Sequence, residues 1–427
     1  MVKKQDVITK LTGGEYDDVL KELYITDDAS YHRDRYMSVI NGYTEIFGDS
    51  DELALFSAPG RTEIGGNHTD HQHGCVIAGS VNLDVIAAVS FNNENVVRIK
   101  SKGYPMDEVT LDDLEIHTQE YDKAISLIRG VLKRISYMGY ELKGFNAYTE
   151  SNVMKGSGLS SSAAFEVLVG TIVNHLCANA EISPVEIAKI GQFAENVYYN
   201  KPSGLLDQMA SSVGAVVAVD FKDNDAPIVK KVDFNLSDYD HTLCIIDSGA
   251  DHADLTDEYA AVTVEMRRVS EFFGQKFLRD VSKADFMANL KAVRAAVKND
   301  RAILRAMHYF NESDRAVAET EAVEKGDFAE FRKLNRESGR SSFMYLQNVY
   351  ASSMPKAQAV SLTLALCEEI LGDKGSFRVH GGGFAGTVQA FVPNDMVAEF
   401  KSKIEAVLGE GMCHILSIRP VGGYRLV

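Results

Sequence analysis

Three glycine-bearing segments hold the residues whose types and spacing suit chemistry. The first, SAPGRTEIGGNHTDHQHG at 57–74, gathers Arg61, Glu63, Asn67, His68, Asp70, His71 and His73 around four glycines. A strand turn does not need so many polar groups, although a solvated loop accommodates them. His68, Asp70, His71 and His73 are also metal-ligand types. Their order, HxDHxH, is not the HxxxH or HExxH spacing that converges two ligands on one helix face. Asp and His beside glycines equally suit a polyhydroxylated ligand, because one carboxylate accepts from two neighbouring hydroxyls.

The second segment, NVMKGSGLSSSAAFEVLVG at 152–170, sets Gly156, Ser157, Gly158 and Leu159 before Ser160, Ser161 and Ser162. Such glycines let the backbone wrap an anion, and the serines suit a cap on the helix that follows. Backbone N–H groups and the helix's positive end then point at one place, which suits phosphate. The GKS or GKT of a Walker A loop is missing. A glycine linker followed by a serine cap accounts for the same residues. The third segment, RVHGGGFAGTVQAFVP at 378–393, has four glycines within six positions between two strand-like runs. Glycine there marks close approach of a ligand or another backbone, or a tight turn between domains.

Strands and helices must carry these segments. LALFSAPGR, VNLDVIAAVSF, VVRIKS, GFNAYTES, GAVVAVDF and HTLCIIDSG read as strands. Two long helical patterns cover about 161–178 and 184–200. The second opens on Ser183, Pro184 and Glu186, which match N-cap, first helical position and capping-box partner. Its apolar stripe Ile187, Ile190, Ala194 and Val197 predicts one buried face, with Glu195 beside it as an exposed carboxylate or a ligand. The stretch 256–372 is almost all helix, and strands return at SFRVHGG, GTVQAFVP and HILSIRP. The expected class is α+β, with an N-terminal helical extension at 1–50, a first domain at 51–235 and a second at 236–427.

The 427 residues carry 44 Lys and Arg against 61 Asp and Glu, a formal net charge of −17. Such a surface repels a phosphate backbone and argues against general nucleic-acid binding. A small anion remains acceptable, because local N–H groups outweigh a distant net charge. The opening MVKKQDVITKLTGG has no apolar run of the secretory kind, and no segment nears the ~20 apolar residues of a membrane span. Cys75, Cys177, Cys244, Cys367 and Cys413 form no CxxC pair, which predicts reduced thiols and a cytoplasmic protein.

In this order and at these separations, the three segments resemble the signature motifs of the GHMP kinases, over about 55–390 of the chain. Within that superfamily, PGRTEIGGNHTDHQHG is similar to the galactokinase signature PGRxNxxGEHTDYxxG. AENVYYNKPSGLLDQMASSVG at 194–214 resembles the family stretch ending in GxxDQ. DEYAAVTVEMRR at 257–268 resembles the segment with a sugar-contacting tyrosine.

The resemblance implies a two-domain fold, with a ribosomal-protein-S5-like N-terminal domain, a helix-rich α+β C-terminal domain and the active site between them. It implies ATP and Mg²⁺ as cofactors and a sugar as acceptor, in a monomer or weak homodimer without nucleic-acid or membrane partners. Gly156 to Ser162 would cradle ATP, and Ser162 with Glu195 would hold the metal. Asp207 would accept the proton of the sugar's C1 hydroxyl, with Arg61 stabilising charge. Asn67, His68, Asp70, Gly204, Tyr259 and Glu63 would form the sugar pocket, and Gly381, Gly382 and Gly383 would approach it from the second domain.

Two departures are reciprocal: Glu63 stands where the pattern has asparagine, and Asn67 where it has the glutamate that helps hold the sugar's C6 hydroxyl. An amide there would also tolerate a C6 carboxylate. His71 and His73, replacing a tyrosine and a glycine, point the same way, and Met154 replaces a proline. The implied reaction is phosphorylation of D-galactose at C1, with galacturonate or another sugar as alternative acceptor. A non-catalytic sugar sensor is a further alternative, although such regulators lack the Ser162–Ala163 pair seen here.

Overall fold

The computed structural model describes all of the chain except residues 155–157, 202 and 251–254. Its strands are β1 Val2–Lys3, β2 Glu52–Gly65, β3 Cys75–Phe91, β4 Val96–Ser101, β5 Met106–Thr110, β6 Phe145–Ser151, β7 Val216–Asp220 and β8 Ile228–Val232. They continue as β9 His241–Asp247, β10 Ser376–His380, β11 Thr387–Pro393, β12 Cys413–Leu416 and β13 Tyr424–Arg425.

One sheet runs β1-β2-β3-β6-β4-β5, with β13 on β2 and the β7–β8 pair on β3. Its pairings are antiparallel except β4 with β6. A second sheet runs β10-β11-β9-β12. The last strand therefore returns to the first sheet, and we propose to count it with the 51–235 domain rather than with 236–427.

Alternation along β2 and β3 divides their apolar side chains between two buried faces. Phe56, Ala58, Val85, Ala87 and Val89 join a core with helices α4 (Ala124–Tyr137), α5 (Ser161–Cys177) and α6 (Pro184–Phe193), whereas Leu53, Leu55, Ile86 and Ala88 face the other way. That second face is covered by three N-terminal helices, Lys4–Thr12, Asp17–Tyr24 and Ser30–Phe47, through Leu11, Leu20, Tyr36, Val39 and Ile40. The 1–50 stretch is thus a lid on the sheet. A short helix α7, Leu206–Val213, follows α6, and the second half of the chain contributes α8 (Thr256–Phe272), Asp300–Glu324 and Phe328–Ser341.

Ser183 caps α6 as expected, its Oγ accepting from the Glu186 N–H at 3.3 Å. The helix then widens into a π-helical turn at Ala194–Tyr198. A wider turn advances the register, so the predicted stripe fails at its end: Ile187, Ile190 and Ala194 are buried, but Val197 is 39% exposed. Glu195 rotates inward and is buried.

Candidate active site

Arg61 and Glu63 belong to β2 itself, not to a loop after a strand. The β2–β3 register shifts between Pro59 and Arg61 and again between Glu63 and Gly65, and such irregularities re-aim side chains. Arg61 Nε donates to Asp207 Oδ1 at 2.6 Å, and a second guanidinium nitrogen donates to the Gly158 carbonyl. Ser160 Oγ donates to Asp207 Oδ2 at 2.7 Å. Asp207 lies in the first turn of α7, near that helix's positive end. Burial alone would raise its pKa, but the Arg61 charge and the hydrogen bonds from Arg61 and Ser160 hold the carboxyl below its ordinary value. Its side chain remains one-third exposed at 33%, open to a ligand.

Ser160 is the N-cap residue of α5, yet its side chain makes no cap and its backbone is left-handed at φ 56°. The serine cap expected from the sequence is therefore corrected: the hydroxyl goes to the aspartate. Among the described residues no side chain caps the first N–H groups of this 17-residue helix. Gly158 (φ 68°) and buried Leu159 complete the described part of this loop, while Gly156 and Ser157 lie outside the described residues.

Glu195 is held on both oxygens. Its Oε2 accepts from Ser203 Oγ at 2.6 Å and Gln208 Nε2 at 2.9 Å. Its Oε1 lies 2.7 Å from Lys201 Nζ and 3.4 Å from Ser162 Oγ. Gln208 also donates to Glu166 at 2.9 Å. Burial first, and then the neighbouring Glu195 charge, push the Glu166 carboxyl well above its ordinary pKa.

Asp70 faces Gly204, where a Cβ would collide with its carboxylate, and it accepts from the His71 N–H at 2.9 Å. Burial, then Asp207 and Glu63, raise its pKa to about 7. His68 is also left-handed, at φ 57°, and its Nε2–H donates to the Gly382 carbonyl at 3.0 Å. Burial lowers its pKa to about 4, so the imidazole is neutral. Tyr259 on α8 donates to the Gly383 carbonyl at 2.9 Å, while its ring packs where a Cβ on Gly382 would sit. Both ring nitrogens of His71 are buried with no partner among the described residues, and His73 stacks on Phe277 at 3.8 Å. The His68 and His71 rings meet edge-on at 5.7 Å, but among the described residues no three of the HxDHxH ligand types gather as a metal set.

Glu63 and Asn67 touch each other rather than open space. Asn67 Nδ2 donates to Glu63 Oε1 at 2.8 Å and to the Gly381 carbonyl at 2.7 Å. Its Oδ1 accepts from Asn348 Nδ2 at 2.9 Å and Ser342 Oγ at 3.2 Å. All four amide valences are used, and the residue is fully buried. In this arrangement the amide ties the His68–Asp70 loop to the third glycine segment. Glu63 also pairs with fully buried Arg378 at 2.7 Å. Gly381 packs against Gly158, so the second and third segments meet. Gly383 (φ 78°) allows the Asn348 carbonyl an approach that a Cβ would block.

Three of the residues that build this site escaped the sequence reading. Lys201 sits in the helix–loop between Glu195 and Asp207, Gln208 directly follows Asp207, and Arg378 begins the third segment. The signal for Arg378 was a charge inside the strand SFRVH, which demands a buried partner.

Comparison with known proteins decides the family. Residues 41–91 match the galactokinase galactose-binding signature, and residues 126–215 match the GHMP kinases N terminal domain. A galactokinase of Glaesserella parasuis serovar 5 (strain SH0165) is 30% identical over 372 residues, 85% of this chain and 91% of that protein. The chain belongs to the galactokinase family. It is accordingly a sugar kinase of the GHMP fold, and ATP is the phosphoryl donor of that class. A galactokinase of Actinobacillus pleuropneumoniae serotype 3 (strain JL03) is likewise 30% identical, over 84% of this chain and 90% of its own. The fold is shared with Lactococcus lactis galactokinase complexed with galactose, at a TM-score of 0.78 and 24% identity over 91% of this chain and 99% of that one. Methanococcus jannaschii mevalonate kinase is more distant, at a TM-score of 0.60 and 12% identity over 87% of this chain and 99% of that one. No helix among the described residues is long and apolar enough to cross a membrane.

Proposed function

We propose that this sugar kinase transfers the γ-phosphoryl group of ATP to the C1 hydroxyl of D-galactose, giving α-D-galactose 1-phosphate and ADP. The observation that carries this reading is an aspartate, Asp207, held by Arg61 and Ser160 and placed three residues after the Gly204 that faces Asp70. The sugar oxygen bonds to the γ-phosphorus, ADP leaves, and the hydroxyl proton passes to Asp207. Asp207 is fit for that task because its partners keep it ionised. Arg61, planar and always charged, both holds the aspartate and faces the charge of the transferring group. Asp70 accepts from neighbouring sugar hydroxyls, and the bare Gly204 gives the sugar ring room.

Mg²⁺ is part of the proposal. Among the described residues no three His, Cys, Asp or Glu side chains gather for a metal. Ser162 and Glu195 nonetheless set a hydroxyl beside a carboxylate, and the Lys201 ammonium already stands in as a cation there. These residues fit a hard divalent ion, with phosphate and water completing its shell. When bound, such an ion neutralises phosphate charge. The five cysteines are free thiols, which supports a reducing cytoplasmic setting.

Two features favour galactose over galacturonate. The Asn67 amide has no valence left for a C6 carboxylate, and the Glu63 carboxyl, an acceptor rather than a cationic partner, lies 2.8 Å from it. The test of catalysis is Asp207→Asn, assayed for ADP release and for galactose binding by calorimetry. A kinase loses turnover and keeps sugar binding. If the wild type shows no turnover but binds both ligands, the protein is a sensor.

A further inference from the structure

Glu195 is buried, and its Oε2 is committed to two neutral donors, Ser203 at 2.6 Å and Gln208 at 2.9 Å. Its Oε1 has a charged partner, Lys201 Nζ at 2.7 Å, on the same oxygen that Ser162 Oγ approaches to 3.4 Å. The two sides of this ion pair are unequal. The carboxylate side chain is 3% exposed, whereas the lysine side chain is 57% exposed on a flexible four-carbon stem. An uncompensated buried carboxylate is costly, and Glu166 and Asp207 add two further carboxyl groups to the same field. The ammonium answers that charge.

An ammonium and a divalent ion cannot share one carboxylate oxygen, because like charges about 4 Å apart repel strongly when partly desolvated. Of the two partners only the lysine is free to move. We propose that Lys201 is the resident cation of the metal site: it neutralises Glu195 while no divalent ion is bound, and is displaced when one arrives. This rests on the assignment of Ser162 and Glu195 as metal ligands. Lys201 is thus a positioning residue that occupies Glu195 Oε1 until the ion arrives and sets the concentration of ion needed to load the site, while Ser203 and Gln208 hold the carboxylate through Oε2.

The test uses Mn²⁺ as probe, without nucleotide or sugar, with the free ion counted by EPR. Wild type, Lys201→Met and Lys201→Arg are compared, and Tm without metal checks each fold. Lys201→Met should bind Mn²⁺ roughly tenfold more tightly than wild type, because the competing charge is gone. Lys201→Arg should bind like wild type. Equal affinity of wild type and Lys201→Met, or no detectable binding to Lys201→Met, overturns the proposal. The double variant Lys201→Met with Glu195→Gln separates the two levels of the argument. Loss of Mn²⁺ binding there places the probe on Glu195, whereas unchanged binding defeats the metal assignment and this inference together.

Discussion

Ser160 Oγ lies 2.7 Å from Asp207 Oδ2, so the residue at the head of α5 spends its hydroxyl on the aspartate instead of on its own helix. Ser160→Ala should therefore lower kcat about tenfold, the scale of one hydrogen bond to a charged group, with little change in Tm. Ser183 is the contrasting case, since it does cap its helix. Ser183→Ala should cost about 1 kcal/mol in urea denaturation and leave kcat nearly intact.

Arg61 sets the protonation of Asp207. Burial pushes that carboxyl up, and the Arg61 charge is the largest influence pulling it down. The wild-type carboxyl titrates below its ordinary value, and its stabilising pairing is lost only as pH falls through that depressed pKa. Arg61→Gln should lower kcat by about 10²–10⁴ and move the acidic limb of the kcat–pH profile to higher pH. An acidic limb that does not move would separate Arg61 from control of the aspartate.

Asp70 titrates in the working range, its pKa raised to about 7 by burial, Asp207 and Glu63. The ionised carboxylate accepts from two sugar hydroxyls, and the protonated one loses an acceptor. Galactose affinity should therefore rise with pH through about 7, and binding at pH 6 should release protons, read by calorimetry in buffers of different ionisation enthalpy. Without sugar the sign for stability is opposite. The folded state holds this proton more tightly than the unfolded value of 3.8, so the contribution is full below that pH and lost as pH rises through about 7. Asp70→Asn should abolish both dependences.

Glu63 is the carboxylate partner of fully buried Arg378. Glu63→Gln leaves a buried guanidinium unpaired and should cost about 3–5 kcal/mol in urea denaturation. A loss under about 1 kcal/mol together with a large rise in KM would instead make Glu63 a direct sugar contact.

The sequence made much of this legible because its signals are local. The Ser183–Pro184–Glu186 cap, the strand runs within β2 and β3 and the glycine segments all follow from neighbouring residues. The parts it hid depend on departures from ideal geometry or on distant partners. A period of 3.6 residues puts Val197 inside, and the π-helical turn puts it outside. Serines before a helix suggest a cap, but Asp207, 47 residues away, claims the Ser160 hydroxyl. The Glu63–Asn67 exchange reads in sequence as two separate changes, whereas their 2.8 Å contact ties the two side chains together.

The most direct test of the central claim is ADP release with MgATP against D-galactose, D-galacturonate, N-acetylgalactosamine, L-arabinose and D-glucose. Turnover with D-galactose well above the others is the predicted result, since the proposed pocket is the one that Asp70 and Gly204 face, and the Asn67 amide is bonded to Glu63 and Gly381. A higher kcat/KM for D-galacturonate would contradict it, and would mean that the Asn67 network opens to admit a C6 carboxylate.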